Sequence, residues 1–342
     1  MHKGLTTLGA GLWGALLLAG PGWAKSIKRV DPEGKKVLWE DPSEIRLRDL
    51  ITGQGGNEHM PAGIEFKFVK EDLDGTNPKF NVRDADGVKW KIKLGDEARP
   101  ETVAARLVWA VGFRTDEDYF LPLVHVSGMP EHVRRGRRFI DPDGSMHNVR
   151  LKRERGEEKK LGSWSWEDDP FTGTREWNGL RVMMALINNW DLKDENNSVY
   201  EIGDKSERKA GESRSVYVVS DLGASFGPDH LDWARKSDKG DLNKYRKTAF
   251  IRHTHGDRVD FADPGAPSPF MIFDPADYFS HLRLRWIGRN IPKEDARWMG
   301  TVLAQLSPRQ IRDAFRAGGY SPEDAEAFAT VVERRIRELS EL

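Results

Sequence analysis

The chain has 342 residues, 38% of them hydrophobic and 32% charged, with a formal net charge of −1. That length supports one large domain or two lobes around a sizeable core, and the near-neutral balance gives no general attraction to nucleic acid or to an anionic membrane. There is no cysteine, which excludes disulfides, thiol catalysis and thiolate metal sites.

Residues 1–24 read as a targeting segment. A basic start, MHKG, precedes the apolar run LTTLGAGLWGALLLAG, and PGWA then ends small–x–small at Gly22 and Ala24. Cleavage is expected before Lys25, with the mature chain periplasmic or secreted and without stable membrane insertion; an uncleaved anchor is the alternative. Residues 25–60 are polar and turn-rich and read as an N-terminal extension draped over the domain.

The following stretch, 61–129, carries the pattern of a small lobe. IEFKFVKED, KFNVRDA and VKWKIKLG alternate apolar and polar residues between the turns LDGTNP and DADG, which predicts a three-stranded antiparallel meander. In the third strand Lys89, Lys91 and Lys93 share one face. RPETVAARLVWAVGF then places Val103, Leu107, Ala110 and Val111 at helical spacing, with Pro100 near the start and Gly112 near the end. YFLPLVHV follows as another strand. Residues 130–168 change character: RRGRR and KRERGEEKK flank FIDPDGSMHNVRL, which reads as a hairpin on a charged insertion. From Glu131 to Lys160 there are 10 Lys/Arg against 6 Asp/Glu, which reads first as a solvated hairpin, with docking of an acidic partner as the alternative.

Residues 169–342 read as a second, mostly helical lobe. TREWNGLRVMMALINNW has helical periodicity through Leu180, Met183, Met184 and Ile187. WDLKDENNSVY comes directly after it, and SVYVVSDLGASFG is a buried strand entering a polar turn. Residues 228–275 are loop-rich. Ser307-Pro308-x-Gln310 and Ser321-Pro322-x-Asp324 each announce a helix.

Two polar loops carry the chemistry. The first offers Asp191, Lys193 and Asn196; the second offers Asp221-Leu222-Gly223. Phosphoryl transfer asks a protein for a cation on the α/β-phosphates, a carboxylate near the incoming hydroxyl, and an aspartate and an amide oxygen for a metal ion. Lys93, Asp191, Asn196 and Asp221 supply those pieces in that order.

WDLKDEN resembles the catalytic loop of protein kinases, H-R-D-L-K-P-E-N; SDLG resembles their D-F-G, and WKIK their V-A-I-K. The chain is similar to the atypical branch of the protein-kinase-like superfamily, such as HipA-like and secretory-pathway kinases, over roughly residues 60–280. The resemblance implies an α+β, two-lobed kinase-like fold, with a small antiparallel sheet and one helix in the N-lobe and a mostly helical C-lobe. It implies that Lys93 contacts the α/β-phosphates of ATP, with Lys91 as the fallback, and that Glu101 pairs with that lysine, Glu97 being the second choice. Asp191 would orient or deprotonate the acceptor hydroxyl, and Lys193 would neutralise the transferred phosphoryl group. Asn196 and Asp221 would ligate Mg²⁺ or Mn²⁺, with Asn197 the alternative to Asn196. Asn189-Trp190 stands where kinases have His-Arg, no G-x-G-x-x-G precedes the lysine, and no A-P-E follows the second aspartate.

Two functions follow from this reading. One is an exported, ATP-dependent phosphotransferase acting on a hydroxyl of a protein or small molecule, with nucleotidyl transfer open as a variant. The other is a pseudokinase serving as a binding scaffold. Two further candidates stand beside the loops: His253-x-His255 with Asp257 as a metal site, against a plain polar loop, and Trp164 with Trp166 as a stacking platform, against simple packing.

Overall fold

The computed structural model describes residues 29, 30, 32, 34–75, 77–156, 158–203, 206–207, 212–227, 239–262 and 283–342. The targeting segment at 1–24 and the cleavage before Lys25 lie outside them.

The fold is α+β and two-lobed. In the upper lobe, β2 (Glu65–Asp72), β3 (Lys79–Arg83) and β4 (Lys89–Lys93) form the meander that the alternation predicts, while β1 (Lys35–Val37) lies apart from it. The helix α1 (Ala98–Ala110), the short β5 (Arg114–Thr115), the long β6 (Asp118–Ser127) and β7 (Ser145–Arg153) follow. The sheet runs β2-β3-β4-β7-β6, and β6 returns to pair with β2 in parallel. It is therefore a closed barrel rather than a small open sheet, and closure leaves no unpaired edge. Its interior holds Phe66, Phe80, Val82, Trp90, Ile92, Tyr119, Val124, Met146, Val149 and Leu151, all nearly or fully buried.

The stretch 130–168 is not a separate insertion. Met146, Val149 and Leu151 face the barrel core, so β7 becomes a wall strand between β4 and β6. Arg150 and Lys152 occupy the outward positions of that strand, paired with Lys93 and Lys91 of β4. Past it, β8 (Lys159–Gly162) joins β9 (Asn197–Ile202) and β10 (Arg214–Val219) in a sheet of the lower lobe.

The lower lobe adds α2 (Arg175–Leu186), α3 (Leu242–Lys247), the hairpin of β11 (Ile251–His255) and β12 (Arg258–Phe261), β13 (Ile291–Pro292), and the helices α4 (Lys293–Leu303), α5 (Pro308–Ala317) and α6 (Pro322–Ser340). Both expected serine caps form: Ser307 Oγ accepts from Gln310 N at 3.2 Å, and Ser321 Oγ from Asp324 N at 3.1 Å. The N-terminal extension does more than drape. Its β1 pairs in parallel with β10, and Leu38, Ile45 and Leu50 are buried in the lower core.

The helix α1 belongs to both lobes. Val103, Leu107, Val108 and Val111 join the apolar core of the lower lobe. Its charged side lies against the outer wall of the barrel at β6 and β7. This sandwich sets the cleft.

Candidate active site

Register on the barrel wall puts the site's charges in place. Lys93 on β4 pairs with Lys79 on β3 and with Arg150 on β7. Directly paired residues project to the same face, so three cations stand in a row outside the barrel, two of them, Lys93 and Arg150, bonded by α1. Glu101 of α1 bridges two of them: its Oε2 accepts from Lys93 Nζ at 2.9 Å and its Oε1 from Arg150 Nη2 at 2.9 Å. Lys93 and Glu101 are each 1% exposed and Arg150 3%. Buried charges cost several kcal/mol apiece unless paired and hydrogen-bonded, and mutual pairing is what lets this trio stay ionised. Lys93 Nζ also donates to Asp221 Oδ1 at 2.5 Å and meets Glu97. Behind the trio Asp118 lies 3.5 Å from Arg150, and Lys152 holds Asp116 at 2.8 Å.

The lower wall of the cleft is built by backbone. Phe226 N donates to Ile187 O at 2.8 Å, Trp190 N to Ala224 O at 3.2 Å, and Ser220 N to Asn196 O at 3.0 Å. These bonds fasten the loop after α2 to the loop after β10. Within the first loop, Asn189 Oδ1 accepts from Asp191 N at 3.1 Å, and Asn196 Nδ2 donates to Asp191 O at 2.9 Å. Lys193 Nζ stands 3.5 Å from Asp191 Oδ1. Asp221 has φ +54°, a left-handed conformation that aspartate tolerates better than most residues. Gly223 is needed for contact: a Cβ there would come within 2.6 Å of Glu97 Cβ.

The electrostatics follow from burial set against these partners. Burial works against the charge on Lys93, but Glu101, Asp221 and Glu97 together raise its pKa well above the usual lysine value. Burial would likewise raise Glu97, yet Lys93 and Lys239 lower it to about 2. Asp221 is held far below the usual carboxylate range because Lys93 and Lys79 outweigh its burial. Asp118 goes the other way: burial, against the opposing pull of Arg150, pushes it up to about 7.

Lys93, Glu101 and Asp221 thus meet, and Glu97, the second choice as the lysine's partner, joins them. Lys91 does not: its ammonium is held by Asp72 at 2.6 Å. Asn197, the alternative to Asn196, is buried and donates to Trp164 O at 3.4 Å. Asn196 lies beside the Asp221 loop through its carbonyl bond to Ser220. Trp164 and Trp166 are 3% and 1% exposed with ring centroids 4.9 Å apart, so they pack the core and offer no platform. His253, His255 and Asp257 do not assemble. Among the described residues the group of carboxylates close enough to share an ion is Glu97, Glu101 and Asp221, within 4.8 Å of one another.

Four residues escaped the sequence reading: Lys79, Asp118, Arg150 and Lys239. Arg150 standing between the apolar Val149 and Leu151 was the available signal for it. No local pattern could have brought Lys239 to Glu97, 142 positions away. Arg150, Lys152 and Arg155 of the basic stretch are engaged by Glu101, Asp116 and Glu158, which removes much of its appeal to an acidic partner.

The donors suit a hard divalent cation, which takes oxygen ligands. Asp221 keeps 34% of its side chain exposed to the cleft, and with Asn196 Nδ2 engaged by Asp191 O, the amide oxygen is the atom left for a cation.

No family model and no curated protein sequence matches the chain. Among solved structures, the proinflammatory kinase CtkA of Helicobacter pylori is similar at 11% identity and a TM-score of 0.43, over 81% of this chain and 97% of that one. The Golgi casein kinase is similar at 12% identity and a TM-score of 0.35, over 88% of this chain and 77% of that one. Likenesses this remote leave the side-chain geometry to carry the function.

Proposed function

We propose that this chain is an ATP-dependent phosphotransferase that uses Mg²⁺ or Mn²⁺ and phosphorylates a hydroxyl group. One observation carries the proposal: the Lys93 ammonium is held between Glu101 of the sandwiched helix and Asp221 of the cleft loop. Folding alone gives no reason to gather three carboxylates around one buried lysine at the junction of two lobes, because each buried charge is costly.

In this reading Lys93 contacts the α/β-phosphates, and Glu101 fixes its position. Asp221 and Asn196 would hold the metal ion, which would supply positive charge against the phosphate oxygens. The acceptor oxygen attacks the γ-phosphorus while the bond from that phosphorus to the β,γ-bridging oxygen breaks, releasing ADP. The acceptor's proton passes to the Asp191 carboxylate. Lys193, beside Asp191, balances charge on the transferred group. The apolar segment at 1–24 supports an exported, periplasmic or secreted, location, with the acceptor a protein or a small molecule.

Calorimetric titration of the chain from Lys25 onward with ATP and Mg²⁺ or Mn²⁺ tests this. Metal-dependent binding that is lost in Asp221→Ala is expected. A folded protein that binds no nucleotide with either metal would sink the kinase reading and leave the scaffold in its place.

A further inference from the structure

The row of cations on the barrel wall is unevenly satisfied. Lys93 and Arg150 are enclosed by carboxylates, whereas Lys79, the register partner of Lys93, is held by no ion pair among the described residues. Like charges directly opposite one another on a sheet repel, so a chain selected only for folding gains nothing from a lysine here. Lys79 is also half-buried, and the attraction of Asp221 and Glu101 offsets only part of the lost hydration, so its pKa stays below the usual lysine value. Its charge is felt across the cleft, where it helps keep Asp221 ionised.

The position of its ammonium is informative. Gly75, in the turn between β2 and β3, has φ +67°, and a Cβ placed there would meet Lys79 Nζ at 3.3 Å. The ammonium therefore folds back under that turn, on the face of the sheet that carries Lys93. In this chain the turn has one glycine where a glycine-rich phosphate-covering loop would have several. Fewer backbone N–H groups can approach a polyphosphate there, and a side-chain cation has taken up the place.

We infer that Lys79 is a second polyphosphate-binding residue, which together with Lys93 clamps the phosphate chain of the nucleotide and replaces the missing glycine-rich loop. The inference rests on the nucleotide-binding reading above and adds to it a residue outside the motifs. The clamp has a clear chemical selectivity: it recognises the phosphates and leaves the nucleoside untouched.

The test compares Mg²⁺-ATP and adenosine titrated into the wild-type chain, Lys79→Ala, Lys79→Arg and, as a control, Lys89→Ala, whose ammonium is exposed and pairs loosely with Glu154 at 3.8 Å. Lys79→Ala is expected to weaken ATP roughly 10- to 100-fold, the span of one charge-assisted hydrogen bond, with adenosine affinity unchanged. Lys79→Arg should recover most of the loss, and Lys89→Ala should match the wild type. Thermal unfolding of Lys79→Ala should occur at or above the wild-type midpoint, because a like-charge contact has been removed. Equal loss of ATP and adenosine, or no loss of ATP, would overturn the clamp while leaving the phosphotransferase reading in place. Failure of the wild-type chain to bind ATP at all would overturn both.

Discussion

On the barrel side of the cleft, Lys93, Glu101 and Arg150 are almost fully buried and are fixed by one another's charges. On the opposite side, Asp191 and Lys193 keep 25% and 27% of their side chains exposed, and their loop is fixed by backbone hydrogen bonds to the Asp221 loop. The difference teaches where each side can tolerate change. A buried charge network answers to the loss of any member, because the survivors keep their burial cost and lose part of the pairing that offsets it. A backbone-fixed loop tolerates a changed side chain and loses only what that side chain does.

The sharpest way to break this contrast is Glu101→Ala. It leaves Lys93 and Arg150 facing each other without their shared carboxylate, and is expected to destabilise the fold by about 3–5 kcal/mol, read from urea denaturation midpoints. A loss below ~1 kcal/mol would mean that the network does not fix α1. On the other side, Asp191→Asn should leave stability and nucleotide affinity near wild type while lowering turnover of any identified acceptor by roughly 100-fold or more. Measuring Kd and kcat separately checks it, and a rise in Kd that matches the fall in kcat would place Asp191 in the binding of the nucleotide rather than in proton transfer.

The pH dependence of stability sharpens the same comparison. Asp118, behind Arg150, has its folded pKa raised to about 7 by burial. A carboxyl shifted upward contributes stability that is full below its unfolded value, near 4, and is lost as pH rises through the folded one. Stability should therefore fall between about pH 4 and pH 7 by up to ~1.4 kcal/mol per unit. Asp118→Asn should flatten that slope in denaturation curves taken at several pH values. The smallest effect belongs far from the cleft: Ser307→Ala should cost about 1 kcal/mol through its lost cap, with nucleotide titrations unchanged.

Local patterns in the sequence carried much of this molecule. The meander, α1, α2 and the two serine-capped helices each announce themselves through periodicity and terminal residues. The loops holding Asp191 and Asp221 were legible because their chemistry is compressed into a few positions. The role of β7 was obscured, since outward-facing arginine and lysine on a barrel wall look like solvated charge until a helix is laid over them. Lys239 had no local signature at all, and closure of the sheet depends on β6 finding β2 across more than fifty residues of chain.

That closure sets an order of events. The barrel draws its wall from β2 to β7, residues 65–153, one continuous run of chain. The lower core cannot be completed from any such run: Gln310 Nε2 donates to Ile45 O at 2.8 Å, joining positions 265 residues apart. During synthesis the barrel can close while the later helices are still unmade, whereas the carbonyls of Ile45 and Arg48 gain their bonds from Gln310 only once α5 exists. Contacts of long sequence separation form slowly, and domains emerging from the ribosome fold as their residues become available. The newborn chain thus spends an interval with a finished barrel above an unfinished base, its α1 still lacking the apolar bed on which Glu101 will be held level with Lys93.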